Sequence, residues 1–146
     1  IFDRSYYPEH RDCMIIMLIL DTGMRIGECL QVTTDDLDLV DRSICLPAEN
    51  TKGRRTRFVF FSAKTCKSLQ RWLHYKDRYT SSKSLFPTKS GQPLGIHSFE
   101  SGFQRYLGRA GIDKDYSPHA LRNNFAKRCL MNGMDIYTLS RIRSAR

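Results

Sequence analysis

The chain has 146 residues, 40% of them apolar and 27% charged, which suits one compact domain and excludes a disordered polar tract. Lys and Arg number 24 against 15 Asp and Glu, a formal net charge of +9, so a polyanionic partner is expected, nucleic acid first. No apolar run approaches the roughly 20 residues of a membrane helix, and the first residues lack the basic-then-apolar order of a signal peptide. No membrane partner is therefore expected.

In chain order, residues from Pro8 to Leu20 have helical length and a burial-suited apolar content, and Asp21-Thr22-Gly23 breaks them. A second short helix is predicted from near Met24, carrying Arg25, Ile26, Glu28, Cys29 and Leu30. From Thr33 short apolar bursts alternate with turn residues. Leu37–Leu39, Ser43–Leu46 and Arg57–Phe61 read as three antiparallel strands, with turns at Asp41-Arg42 and Asn50-Thr51-Lys52-Gly53. Ser62 is placed to cap a helix running to about Tyr79, with Leu69, Trp72, Leu73 and Tyr75 for its buried face. Loops flank Leu85-Phe86. A helix follows from Ile96 to Ala110 with Phe99, Phe103 and Leu107 at helical spacing. Ser117-Pro118 opens another, stopped by Gly133, and Asp135 is suited to cap a last one through Ile142. The order of helices, small sheet and helices predicts one α+β domain over residues 1–146, mainly helical with a three-stranded antiparallel sheet.

Five cysteines are scattered singly, with no C-x-x-C pair. They read as free thiols in a reducing cytoplasm rather than as a disulfide framework or a zinc site. No metal and no cofactor are expected.

Three segments carry chemistry. In Thr22-Gly23-Met24-Arg25-Ile26-Gly27-Glu28, a glycine turn puts Arg25 at a helix start, where a guanidinium and backbone N–H groups face one anion together. Glu28, three residues on, is spaced to hold or orient Arg25. In Thr51-Lys52-Gly53-Arg54-Arg55, a hairpin tip would carry Lys52, Arg54 and Arg55 toward a DNA groove. There Lys52 could protonate a leaving oxygen or neutralise a phosphate. In His119-Ala120-Leu121-Arg122, the i,i+3 spacing sets an imidazole and a guanidinium on one helix face, a proton carrier beside a phosphate clamp. Taken alone, each reads first as a solvated polar surface.

Together, and in order, they resemble the tyrosine recombinase (phage integrase) family, whose members show TGxRxxE, a hairpin lysine, and HxLRHTFAT followed by G.D. Here these stand as TGMRIGE, TKGRR, HALRNNFAK and NGMD, from about Asp21 to Ile142. The resemblance implies a site-specific recombinase that breaks and rejoins double-stranded DNA through a 3′-phosphotyrosine intermediate, in assemblies with further protomers and often on a mobile element. It implies that Arg25 and Arg122 clamp the scissile phosphate, that Glu28 supports Arg25, that Lys52 is the general acid at the leaving 5′ oxygen, and that His119 assists proton transfer.

The pattern departs at two places. Asn123 and Asn124 stand where the family has His-Thr, and Arg143 to Arg146 do not continue its leucine-glycine-histidine turn. The expectation is a catalytic-domain fragment without the amino-terminal core-binding domain and without the segment bearing the nucleophilic tyrosine, inactive alone. Tyr137, the one tyrosine after His119, occupies an ordinary helix position. A noncatalytic DNA-binding protein on the same fold is the alternative, and a type IB topoisomerase a third.

Overall fold

The computed structural model describes residues 2–112 and 116–131, with side chains through Phe125 in the last helix. Helix α1 (Tyr7–Thr22) and the short α2 (Ile26–Gln31) precede strands β1 (Leu37–Asp38), β2 (Ser43–Leu46) and β3 (Arg57–Phe60). Helices α3 (Ala63–Asp77), α4 (Ile96–Arg109) and α5 (His119–Met131) follow. The strands form an antiparallel meander in the order β1-β2-β3, with Ile44 opposite both Leu37 and Val59. The fold is thus mainly helical with a three-stranded antiparallel sheet, as its pattern implies. The predicted helix through Ile142 and the stop at Gly133 lie outside the described residues.

Three boundaries differ from expectation for local reasons. Helix α1 runs through Asp21 and Thr22 and ends only at Gly23, whose left-handed conformation closes it; the Thr22 hydroxyl donates back to the Leu18 carbonyl at 2.8 Å. Helix α2 begins at Ile26 rather than Met24, because Arg25 is extended and serves as its N-cap residue. Strand β1 stops at Asp38, whose carboxylate accepts the Asp41 N–H at 2.9 Å and turns the chain before Leu39 can pair.

One apolar cluster joins the elements. Ile15, Leu18, Ile44, Leu69, Trp72, Phe86 and Phe99 are fully buried in it, each contributing about 1.5–3 kcal/mol over exposure. Ser62 caps α3 through the Thr65 N–H, as its position suggests. Trp72 donates its indole N–H to Leu85 O at 2.8 Å, and the Leu85 N–H reaches Val32 O at 2.9 Å. Through these bonds the segment around Leu85-Phe86 braces the exit of α2. Cys13, Cys29, Cys45 and Cys66 are free thiols; Cys129 has no described side chain. Among the described residues no helix is long and apolar enough to cross a membrane.

Polar bonds lock α4 onto α1. Arg11 and Tyr106 both donate to the buried Asp12 carboxylate, and burial raises the Tyr106 phenol well above its ordinary range. Arg109 holds Glu9 by two bonds, at 2.8 and 3.1 Å. That guanidinium, followed by the Asp3 N–H, holds the Glu9 carboxyl below its ordinary value of 4.5. The ionised form is favoured in the folded state, so the stability this group contributes is present above its unfolded value and fades as pH falls through the folded one. Urea denaturation of Glu9→Gln across acid pH is expected to show a shallower loss of stability below the ordinary carboxylate range than the parent chain. Identical pH profiles would show that the pair is energetically silent.

Candidate phosphate site

The site is assembled around the break between α1 and α2. Gly23 closes α1 in the left-handed conformation, φ 73°, with its N–H on Ile19 O at 2.8 Å. Its carbonyl accepts the Arg122 Nε–H at 2.7 Å, so a residue 99 positions away in α5 is tied to the turn that carries Arg25. Phe125, three residues beyond Arg122 on α5, lies against the same glycine. A Cβ there would stand 2.3 Å from the Phe125 ring. Both the backbone angle and the close approach therefore demand glycine. Gly23→Ala is expected to destabilise the chain by about 2–4 kcal/mol, read from urea denaturation, since a left-handed side chain and an overpacked contact add. A loss of about 0.5 kcal/mol or less, typical of an open surface position, would contradict this account of the turn.

Arg25 stands at the start of α2. The Glu28 carboxylate accepts the Arg25 backbone N–H at 2.9 Å, a cap on the helix from its third residue. The Arg25 guanidinium is 3.8 Å from the other Glu28 oxygen. Glu28 is 4% exposed, and a carboxylate so buried requires cationic company. Arg57, the first residue of β3, supplies a bond of 2.6 Å to it. Burial draws the Arg57 guanidinium down from its ordinary value, and Glu28 opposes that shift.

Lys52 rides the loop between β2 and β3, after a 3-10 turn at Ala48–Asn50. The buried Thr51 hydroxyl knits this loop: it lies 3.2 Å from Ala48 O and 2.9 Å from Arg55 O, and it accepts the Arg55 N–H at 3.0 Å. The left-handed residue of the tip is Arg54, φ 57°, a conformation in which a non-glycine residue is mildly strained. Lys52, Arg54 and Arg55 are all exposed.

Arg25, Glu28, Lys52, His119 and Arg122 border one cavity of about 350 Å³, together with Gln31 and Asn50. Arg122 is buried at 4% exposure, whereas Lys52 and His119 are exposed at the mouth. Arg54 and Arg55 lie outside the lining of that cavity, on the same loop. The structure thus gathers residues spread over nearly a hundred positions into one basic recess. Such a recess is suited to an oxyanion held by fork-shaped guanidinium donors, with a lysine and an imidazole at hand to move protons. Among the described residues no cluster of His, Cys, Asp or Glu could hold a metal ion. Sequence reasoning did not single out Arg57, Thr51, Gln31 or Asn50. Arg57 stands two residues before Val59, on the face of β3 that packs inward, a placement that the sequence pattern does not show.

The phage integrase family model matches residues 3–143, and the chain belongs to that family. It is 29% identical over 140 residues to the tyrosine recombinase XerC of Chlamydia caviae, covering 94% of this chain and 44% of the relative. It is 31% identical over 129 residues to the tyrosine recombinase XerD of Corynebacterium glutamicum, covering 86% and 41%. The chain therefore spans less than half the length of these curated relatives. Among solved structures, XerA recombinase superimposes with a TM-score of 0.84 at 27% identity, over 97% of this chain and 52% of the other. XerH site-specific recombinase bound to difH substrate gives 0.81 at 25%, over 97% and 41%. The fold is that of a tyrosine recombinase catalytic domain.

Proposed function

We propose that residues 1–146 form the catalytic domain of a site-specific recombinase that breaks and rejoins double-stranded DNA, working in the cytoplasm with further protomers of the full-length protein. The observation that carries this reading is the convergence of Arg25, Lys52, His119 and Arg122 on one cavity. In-line displacement at phosphorus spreads negative charge over the nonbridging oxygens, and preorganised cations stabilise it. Arg25 and Arg122 clamp the phosphate, with Glu28 supporting Arg25. Lys52 protonates the leaving 5′ oxygen, and His119 shares in proton transfer. A tyrosine phenolate displaces that oxygen and keeps the strand as a 3′-phosphotyrosine until rejoining reverses the step. Lys52, Arg54 and Arg55 follow the DNA backbone.

Binding of a labelled duplex by these 146 residues is expected to be nearly sequence-blind, with a Kd of roughly 10⁻⁴–10⁻⁶ M at physiological salt. Affinity is expected to fall steeply as salt rises. Lys52→Ala is expected to weaken binding uniformly across sequences and to reduce the salt slope by about one. Binding that ignored salt would oppose a phosphate-led interface.

Clamping arginines lower a barrier only for a nucleophile that is present. The one tyrosine after His119 within these residues, Tyr137, lies outside the described ones. Incubated alone with a nicked suicide duplex, the 146 residues are expected to form no covalent adduct on a denaturing gel. An adduct that vanished in Tyr137→Phe would reassign the nucleophile to Tyr137.

A further inference from the structure

We propose that Arg57 is a positioning residue of this phosphate site: it neutralises the buried Glu28, so that the Arg25 guanidinium serves a phosphodiester in the cavity instead of the carboxylate beneath it. The inference rests on the phosphate-binding reading above.

The Glu28 side chain is 3% exposed and has two arginines within reach. They are not equivalent. Arg57 Nη2 lies 2.6 Å from Oε1, a short charge-assisted hydrogen bond, and the Arg57 side chain is itself only 11% exposed. Arg25 Nη1 stands 3.8 Å from Oε2, beyond hydrogen-bond length, and the Arg25 side chain is 26% exposed along the cavity. What Glu28 bonds directly in Arg25 is the backbone N–H, through the oxygen that Arg57 also holds. The carboxylate therefore fixes where the residue begins its helix, while Arg57 answers its charge.

Without Arg57, Glu28 would be a buried carboxylate whose nearer cation is gone, an arrangement that proteins rarely tolerate. The Arg25 guanidinium is the cation at 3.8 Å, and a small side-chain rotation closes that gap at the expense of the cavity. Arg57 also opens β3, five residues after Lys52, so the same bond anchors the downstream end of the lysine loop to α2.

The test compares duplex binding by the parent chain, Arg57→Met, Glu28→Gln and the double variant at one low salt concentration. Arg71→Met, an exposed position on α3, controls for the loss of one positive charge. Arg57→Met is expected to bind about fivefold to tenfold more weakly than the Arg71 control, the size of one ordinary hydrogen bond's net contribution. Adding Glu28→Gln is expected to restore most of that affinity, because no buried charge is left to recruit Arg25. The Arg25 Nε–Hε resonance is expected to move in Arg57→Met and to return in the double variant. Should Arg57→Met fail to fold, Arg57→Gln, which keeps a hydrogen bond without the charge, takes its place with the same expectations. Binding equal to the Arg71 control, or a double variant no better than Arg57→Met, would overturn the role of Arg57 and leave the phosphate site standing. A parent chain that bound no duplex at that low salt concentration would overturn both.

Discussion

The geometry of the site depends on the left-handed turn at Gly23. One residue there ends α1, allows the chain to reverse into α2, and offers its carbonyl to Arg122. Because it has no Cβ, Phe125 closes over it and brings α5 against α1. The two arginines proposed to clamp phosphate are thus set relative to each other through a backbone atom rather than through flexible side chains. The bond from Nε to a carbonyl anchors the Arg122 guanidinium beside the cavity that it lines.

Around that node the charges are layered by depth. Glu28 lies deep, sharing the interior with Arg57 and with the backbone of Arg25. Arg122 is as deeply buried, also at 4% exposure; then come the half-buried Arg25, and His119 and Lys52 at the surface. Glu28 and Arg122 are closely packed, whereas Lys52 and His119 stand at the exposed mouth of the cavity. This arrangement agrees with a site that stabilises a transition state by preorganisation. Toward the amino-terminal half of the same helix, Asp12 takes bonds from Arg11 and Tyr106 and ties α1 to α4.

What could be read in advance was what depends on local spacing. The cap at Ser62, the buried Phe99, Phe103 and Leu107 of α4, and the i,i+3 pair of His119 and Arg122 follow from helical periodicity. The order of the TGMRIGE, TKGRR and HALRNNFAK segments carried the family. The parity of β3 was not legible. Arg57-Phe58-Val59-Phe60-Phe61 has bulky apolar residues on both faces, and only packing shows that Val59 turns inward while Phe58 and Phe60 are 58% and 65% exposed. For that reason Arg57 reads as a surface strand residue, although it reaches Glu28 inside. Leu85-Phe86 looks like an apolar island between loops. Its burial comes from bonds to Trp72 and Val32, contacts too distant in sequence for any local pattern to show. Helix α1 has little amphipathic signal because it buries Glu9, Arg11 and Asp12 along with its apolar residues.

The central claim is that Arg25 and Arg122 share one oxyanion at the mouth of the Gly23 turn. A crystal structure of the chain soaked with tungstate, a heavy phosphate mimic located by its anomalous signal, tests it most directly. The expected result is a tungstate in the cavity within hydrogen-bond distance of both guanidinium groups, with Lys52 and His119 at its outer side, and loss of that peak in Arg25→Ala. A tungstate bound only elsewhere on the basic surface, with the cavity containing solvent alone, would contradict it.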